Sequence, residues 1–207
     1  MSHGKPIIGI CGGIGAGKST VAGALERCGC LTIDSDGLNR EVLARGGVIA
    51  QVREWWGDGV LTPDGRIDRS RLAERVFADE ASRRRQESLV HPLIAARRDA
   101  MISVGIQNPA IRAITLDSPL LLESNLDRLC DAVVFVEASA ELRLKRLKDS
   151  RGWDANEIER RRRWQLPLAE KRARADYVIQ NDASQSRLRQ RVQEVFKRIM
   201  ASDSPKQ

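Results

Sequence analysis

The fold of this 207-residue chain is decided by the stretch Gly12-Gly13-Ile14-Gly15-Ala16-Gly17-Lys18-Ser19. It satisfies the pattern G-x-x-x-x-G-K-[ST], a phosphate-binding loop that joins a strand to a helix. A β-prone run over 6–11 precedes it, and residues 20–27 carry apolar side chains at helical spacing. The alternative is a glycine-rich turn that opens a helix and binds nothing. Because the whole pattern and both flanks agree, we interpret the stretch as a site for a nucleoside triphosphate.

The residue types in this loop suit the chemistry of phosphate binding. Glycines allow successive backbone N–H groups to face an anion, and the following helix adds its N-terminal donors. Lys18 is expected to reach the β- and γ-phosphates, and the Ser19 hydroxyl is expected to ligate Mg²⁺. The predicted nucleotide-binding residues of the loop are Gly13, Ile14, Gly15, Ala16, Gly17, Lys18, Ser19 and Thr20.

Composition favours a cytoplasmic α/β protein with no membrane contact. Hydrophobic residues make up 42% of the chain and charged residues 30%. No apolar run approaches the ~20 residues that span a bilayer, and residues 1–10 lack the features of a secretory signal. The cysteines are spaced unlike redox or zinc motifs, so we expect reduced thiols. They are Cys11, Cys28, Cys30 and Cys130.

The net charge of +7 arises from one stretch, residues 143–174, which holds twelve basic and five acidic residues. Three interpretations remain open for it: a lid over a polyphosphate, a nucleic-acid-binding face, or a solvated helix surface. The run Arg160–Arg163 favours a solvated face, because consecutive helical residues cannot all face one ligand.

The remaining pattern predicts five strands and a helical insertion. Strands are expected at 6–11, 31–34, 113–117, 132–136 and 177–179. The uniformly apolar runs among them are typical of parallel strands buried on both faces. Residues 46–105 read as an almost wholly helical cap, interrupted or bent at Pro92. Helix caps are predicted at Asp68, at Ser139 and at Asp154 with Glu157.

Two absences narrow the class of protein. The chain contains no Asn-Lys-x-Asp motif for reading guanine, and Asp117 is followed by Ser118-Pro119 rather than by a water-activating Glu. Of the classes of protein that use a phosphate loop, GTPases and ATPase motors are thereby disfavoured, and a small-molecule kinase remains. We therefore predict a single α/β domain of P-loop kinase type: a parallel five-stranded sheet flanked by helices, with a helical cap insertion and a basic lid. The core is expected at about 6–45 and 110–200, and the lid at about 148–166.

Several blocks of the chain resemble the dephospho-coenzyme A kinase family, in family order over residues 6–181. They are Gly9-Ile10-Cys11 with the phosphate loop, Asp34-Ser35-Asp36 with Arg40, Asp64-Gly65-Arg66-Ile67-Asp68-Arg69 with Leu72, His91-Pro92-Leu93-Ile94, Asp117-Ser118-Pro119-Leu120-Leu121-Leu122-Glu123, and Gln165, Lys171-Arg172 and Ala175-Asp176-Tyr177-Val178-Ile179-Gln180-Asn181. Two positions depart from the family pattern: Cys11 stands where Thr is usual, and Ser35 where Ala is usual. Neither departure removes a group that the chemistry needs.

The resemblance implies transfer of the ATP γ-phosphate to the ribose 3′-hydroxyl of dephospho-CoA, with ATP and dephospho-CoA as partners and Mg²⁺ as cofactor. It assigns the catalytic base to Asp36, for which helix capping is the alternative. It places a lid cation on the transferring phosphoryl group, and Arg146 is preferred over Lys148 and Arg151.

The resemblance also implies residues around the two substrates. Those expected near dephospho-CoA or the metal are Asp34, Arg40, His91 and Asp117. Asp34 could instead be a strand-end acid, and His91 a packing residue. Asn181 and Gln165 are expected either in the adenine pocket or in ordering the loop after the last strand. No nucleic-acid partner is expected, and the protein is a monomer or a homo-oligomer. Another metabolite kinase and a nucleic-acid-binding NTPase remain alternatives.

Overall fold

The computed structural model describes residues 4–153 and 155–202, without the side chains of residues 151, 155 and 156. It contains two compact units. One comprises the residues up to Asp34 together with those from Ser103 onward, and the other comprises Ser35–Ile102. Within the described ranges, no helix has both the length and the apolar content needed to span a membrane.

The first unit is built on a parallel sheet of five strands, as the sequence predicts. The strands are β1 (Ile7–Gly12), β2 (Cys30–Asp34), β3 (Ala113–Asp117), β4 (Ala132–Glu137) and β5 (Tyr177–Gln180). Their order is β2-β3-β1-β4-β5, and every neighbouring pair is parallel. Every residue of β1 and β3 is buried, which explains why these strands read as continuous apolar runs.

Nine helices accompany the sheet in the part of the chain that the structure describes. They are α1 (Lys18–Glu26), α2 (Ser35–Leu43), α3 (Gly46–Trp56), α4 (Arg69–Val76), α5 (Glu80–Gln107), α6 (Ala140–Arg151), α7 (Ala155–Arg162), α8 (Leu168–Ala173) and α9 (Gln185–Ala201). In the first unit, α1 and α9 pack together on the sheet. Val21 and Leu25 of α1 share one apolar core with Val192 and Phe196 of α9 and with Ile10 of β1.

The second unit is helical and has a core of its own. Val42, Val52, Leu72 and Val90 are buried together there. Helix α5 continues through Pro92 for 28 residues, so of the two predicted alternatives the interruption is wrong and the bend stays a prediction. An interior proline costs about 3 kcal/mol, and the apolar residues on both sides of Pro92 that pack against this core offset that cost.

The end of helix α6 and the whole of helix α7 lie in the region of the predicted lid. Ser139 caps α6 as predicted, because its hydroxyl accepts the backbone N–H of Leu142 at 3.2 Å. Helix α6 then runs to Arg151. The predicted cap at Asp154 lies outside the described residues. Helix α7 ends at Arg162, and α8 begins directly after Pro167.

Asp68 caps α4, as the sequence predicts, and a substitution there tests the cap. Its carboxylate accepts the backbone N–H groups of Ser70 and Arg71 at 3.0 and 3.2 Å. Asp68→Ala removes both bonds, so we expect the free energy of unfolding to fall by about 1 kcal/mol, measured by urea denaturation. Asp68→Asn retains a capping oxygen and should stay close to wild type. An equal loss in both variants would contradict the assignment.

Candidate phosphate-transfer site

The phosphate loop lies between the central strand β1 and helix α1. Lys18 is the first residue of α1, and the backbone N–H of Ala16 donates to the carbonyl of Gly13 at 3.1 Å within the loop. The Lys18 ammonium lies 3.4 Å from each of the carbonyl oxygens of Gly12 and Gly13. The predicted lysine is therefore held at the start of the loop, where a phosphate would compete with these carbonyls for it.

Two glycines in the loop are required by backbone conformation and by close neighbours. Gly15 and Gly17 have φ angles of 77° and 89°, in the left-handed region. A Cβ on Gly15 would lie 2.8 Å from the carbonyl oxygen of Arg143, and one on Gly17 would lie 2.2 Å from Asn181 Nδ2. The loop therefore packs against α6 and against the residue that follows β5.

The carbonyl of Ala16 is held from outside the loop by two side chains. Asn181 Nδ2 donates to it at 2.7 Å, and Arg146 Nη1 donates at 3.3 Å. Arg146 Nη2 also donates to the Asn181 carbonyl at 2.9 Å. In a trans peptide the C=O and the next N–H point in opposite directions. Holding the Ala16 oxygen outward therefore directs the Gly17 N–H to the opposite side, where a phosphate oxygen can accept it.

Two predicted acids meet at the carboxyl edge of the sheet. Asp34 and Asp117 end β2 and β3 and are paired in register, and β3 also pairs with β1. Asp117 is buried and Asp34 is exposed. Because parallel strands end at one edge, both residues lie at the edge where β1 leads into the phosphate loop. The predicted roles of Asp34 and Asp117 at the substrate or the metal stay predictions.

The second unit holds the other predicted substrate residues. Asp36 lies in the first turn of α2 and Arg40 in its last turn. His91 lies on α5, and all three side chains are exposed. Their predicted roles remain predictions.

The lid arginines form ion pairs within their own helix. Arg160 and Arg161 both pair with Glu157, the latter at 2.6 Å, and the Arg161 guanidinium stacks 4.2 Å above the Trp153 ring. The hydrogen bonds from Arg161 and then Arg160 lower the pKa of Glu157. All four side chains of the run Arg160–Arg163 are exposed, in agreement with the solvated face favoured by the sequence. Lys148 is exposed, and the side chain of Arg151 lies outside the described residues.

Sequence reasoning assigned no role to Arg143, which contacts the phosphate loop. Its Nη1 lies 2.7 Å from the position of a Cβ on Gly13. Its Nε is buried without a hydrogen-bond acceptor among the described residues. Burial, with a smaller contribution from the charge of Arg162, lowers the pKa of this guanidinium. The i,i+3 spacing places Arg143 and Arg146 on one side of α6. From this spacing the sequence could have predicted that Arg143 lies near the phosphate loop together with Arg146.

The parallel sheet, the glycine-rich loop at its central strand and the lysine that opens α1 define a P-loop kinase. A family model described as dephospho-CoA kinase matches residues 6–187. The chain belongs to the dephospho-CoA kinase family, whose members catalyse the final step of coenzyme A biosynthesis with ATP as phosphate donor.

Relatives agree with this assignment, and a solved structure shares the fold. A dephospho-CoA kinase of Thermobifida fusca is 36% identical over 193 residues, which cover 93% of this chain and 95% of the relative. One of Corynebacterium diphtheriae is 38% identical over 197 residues, with coverage of 93% and 96%. A crystal structure of a Thermus thermophilus protein superposes with a TM-score of 0.79 at 32% identity, and covers 97% of this chain and 98% of that one.

The geometry at Gly17 predicts that even one methyl group disables the loop. Gly17→Ala combines a left-handed backbone, which costs about 1–2 kcal/mol, with a Cβ only 2.2 Å from Asn181 Nδ2. We expect the Kd for ATP, measured by titration calorimetry, to rise at least about tenfold. Gly23→Ala is the matched control, because a Cβ on this helical glycine of α1 meets nothing within 4 Å. Unchanged affinity in Gly17→Ala would contradict the assignment.

Proposed function

We propose that this chain transfers the γ-phosphate of ATP to the ribose 3′-hydroxyl of dephospho-CoA, giving CoA and ADP. The observation that carries the proposal is the match of residues 6–187 to the dephospho-CoA kinase family, together with the complete phosphate loop that the structure builds at β1. The site is consistent with this reaction, because phosphoryl transfer asks mainly for positioning and for neutralisation of charge.

The loop supplies the neutralising groups. The backbone N–H groups of residues 13–19 and the Lys18 ammonium bind the triphosphate, and the hydroxyl of Thr20 lies in the same first turn of α1. Arg146 contributes a guanidinium next to the loop and stabilises charge on the transferring phosphoryl group. In the structure this guanidinium holds the carbonyls of Ala16 and Asn181, so its contact with phosphate requires a change in these hydrogen bonds. When ATP is bound, Asn181 borders its adenine ring.

Magnesium fits the donors available at this edge of the sheet. The candidates are the Ser19 hydroxyl and the carboxylates of Asp34 and Asp117, all hard oxygen donors that Mg²⁺ prefers. No cluster of three or more metal-binding side chains occurs among the described residues, and Mg²⁺ in kinases needs only one or two protein oxygens besides the phosphates. When bound, the ion neutralises charge on the β- and γ-phosphates.

Asp36 is the proposed general base. Its carboxylate accepts the proton of the 3′-hydroxyl as the oxygen attacks phosphorus, while Arg40, His91 and Asp117 hold the acceptor. We place the reaction in the cytoplasm, without nucleic-acid or membrane partners, in a monomer or a homo-oligomer.

An acceptor comparison tests the proposed reaction. ADP release is measured with ATP and Mg²⁺ in the presence of dephospho-CoA, ordinary nucleosides or nucleoside monophosphates. We expect rapid release only with dephospho-CoA, mass spectrometry of a product with one added phosphate, and loss of activity with excess EDTA. Preference for a nucleoside would favour another metabolite kinase. Tight, strongly salt-dependent binding of RNA without kinase activity would favour a nucleic-acid-binding NTPase.

Replacement of Asp36 tests the base separately from binding. Asp36→Asn removes the proton acceptor with little change in the shape of the side chain, so we expect kcat to fall at least about 10²-fold with an unchanged Kd for ATP. Glu54→Gln, an exposed substitution on α3, serves as the control. Near-normal turnover in Asp36→Asn would refute the assignment.

A further inference from the structure

A buried ammonium group lies on the short helix α8. The side chain of Lys171 is only 1% exposed, while the other residues of α8 are all exposed. An ionised amine is costly to bury unless it is paired and hydrogen-bonded. The environment of this lysine therefore requires an explanation, and neither the phosphate loop nor the proposed base provides one.

Three acceptors surround the ammonium. Lys171 Nζ lies 2.8 Å from Glu123 Oε1, and it donates to Gln165 Oε1 at 3.2 Å and to the carbonyl of Pro119 at 3.4 Å. A lysine ammonium has three donors, so its capacity matches these partners. Glu123 Oε1 also accepts the backbone N–H of Leu166 at 2.8 Å.

These contacts join two segments that are far apart in the chain. Pro119 and Glu123 follow directly after β3, the strand that ends in Asp117. Gln165 and Leu166 are the last two residues of the predicted lid. The Lys171–Glu123 pair therefore ties the C-terminal end of the lid to the segment behind a predicted substrate residue.

The pair lies close to the phosphate loop without being part of it. A Cβ on Gly13 would lie 3.2 Å from Leu168 Cδ2 on the same helix α8. Burial raises the pKa of the Cys11 thiol to about 11, and Lys171 is the strongest of the charges that oppose this shift, ahead of Lys18. Helix α8, which carries Lys171, therefore packs beside the phosphate loop and β1.

One oxygen of the pair has no hydrogen bond. Glu123 Oε2 is buried and has no partner among the described residues. An unsatisfied buried acceptor lowers stability, so the pair is not optimised for stability alone.

We propose that Lys171 and Glu123 are positioning residues for phosphoryl transfer, whose buried ion pair fixes the end of the lid so that it closes over bound triphosphate in one orientation. The proposal rests on the proposed kinase function. Neither residue touches the reacting atoms. Their effect is to exclude water and align the lid, and kinases need both so that the acceptor rather than water receives the phosphoryl group.

The decisive variant replaces both partners. Removing one charge leaves the other buried and unpaired, whereas replacing both with apolar side chains is often close to neutral for stability. In Lys171→Met/Glu123→Leu we expect kcat for phosphoryl transfer to fall about 10–100-fold, with KM for ATP nearly unchanged. We also expect a larger share of ATP to be hydrolysed without transfer. Arg172→Met, on the same helix with its partner Glu137, should match wild type in each respect.

A second measurement needs no acceptor. Trypsin cleaves after arginine, and Arg160–Arg162 on α7 and Arg163 directly after it are exposed. In wild type, a non-hydrolysable ATP analogue should slow cleavage there, whereas in the double variant it should bind equally well and give less protection. If wild type shows this protection but no transfer to dephospho-CoA, the proposed function fails and the positioning role stands.

Two results would overturn the positioning role. One is a folded double variant with wild-type kcat, hydrolysis and protection, because the pair would then be structural only. The other is a wild-type lid that the analogue leaves equally cleavable. If the double variant does not fold, Glu123→Gln, which keeps the shape and removes the charge, decides on the same criteria.

Discussion

The phosphate loop depends on the carbonyl of Ala16 being held from outside. A loop that binds anions through backbone N–H groups keeps that capacity only while its peptide planes are fixed. Here Asn181 and Arg146 fix one of them through its oxygen. Asn181 directly follows β5 and Arg146 lies on α6, so two distant segments set the loop. The direction in which the N–H groups of the phosphate loop point therefore depends on contacts from elsewhere in the first unit.

The parallel sheet determines which side chains reach this loop. With β1 between β3 and β4, residues that end neighbouring strands lie at one edge. Asp34 and Asp117 are brought side by side in this way although 83 positions separate them in the numbering. Both acids are carried by strands rather than by loops, so their backbone positions are fixed by the ladder. The chemistry at this edge therefore follows from strand order as much as from residue type.

The sequence predicts the local features well and the long-range contacts poorly. The phosphate loop, the five strands and the caps at Asp68 and Ser139 follow from short patterns whose physics is local, and they are confirmed. The sequence left an interruption of α5 at Pro92 open, and core packing on both sides, which outweighs the local cost of the proline, rules it out. The strand order, the hold on Ala16 and the Lys171–Glu123 pair join residues that no spacing rule connects. The distribution of charge showed a basic stretch but could not identify which lysine in it is buried.

The surroundings of Cys11, which stands where the family usually has Thr, determine how reactive its thiol is. Cys11 lies on β1 immediately before the glycines, where burial raises the pKa of its thiol to about 11. Electrophiles and peroxides react with thiolates, and a sulfur in this environment stays protonated at cellular pH. Covalent inhibitors directed at this position would therefore find little nucleophile there, and the thiol would oxidise more slowly than an exposed cysteine.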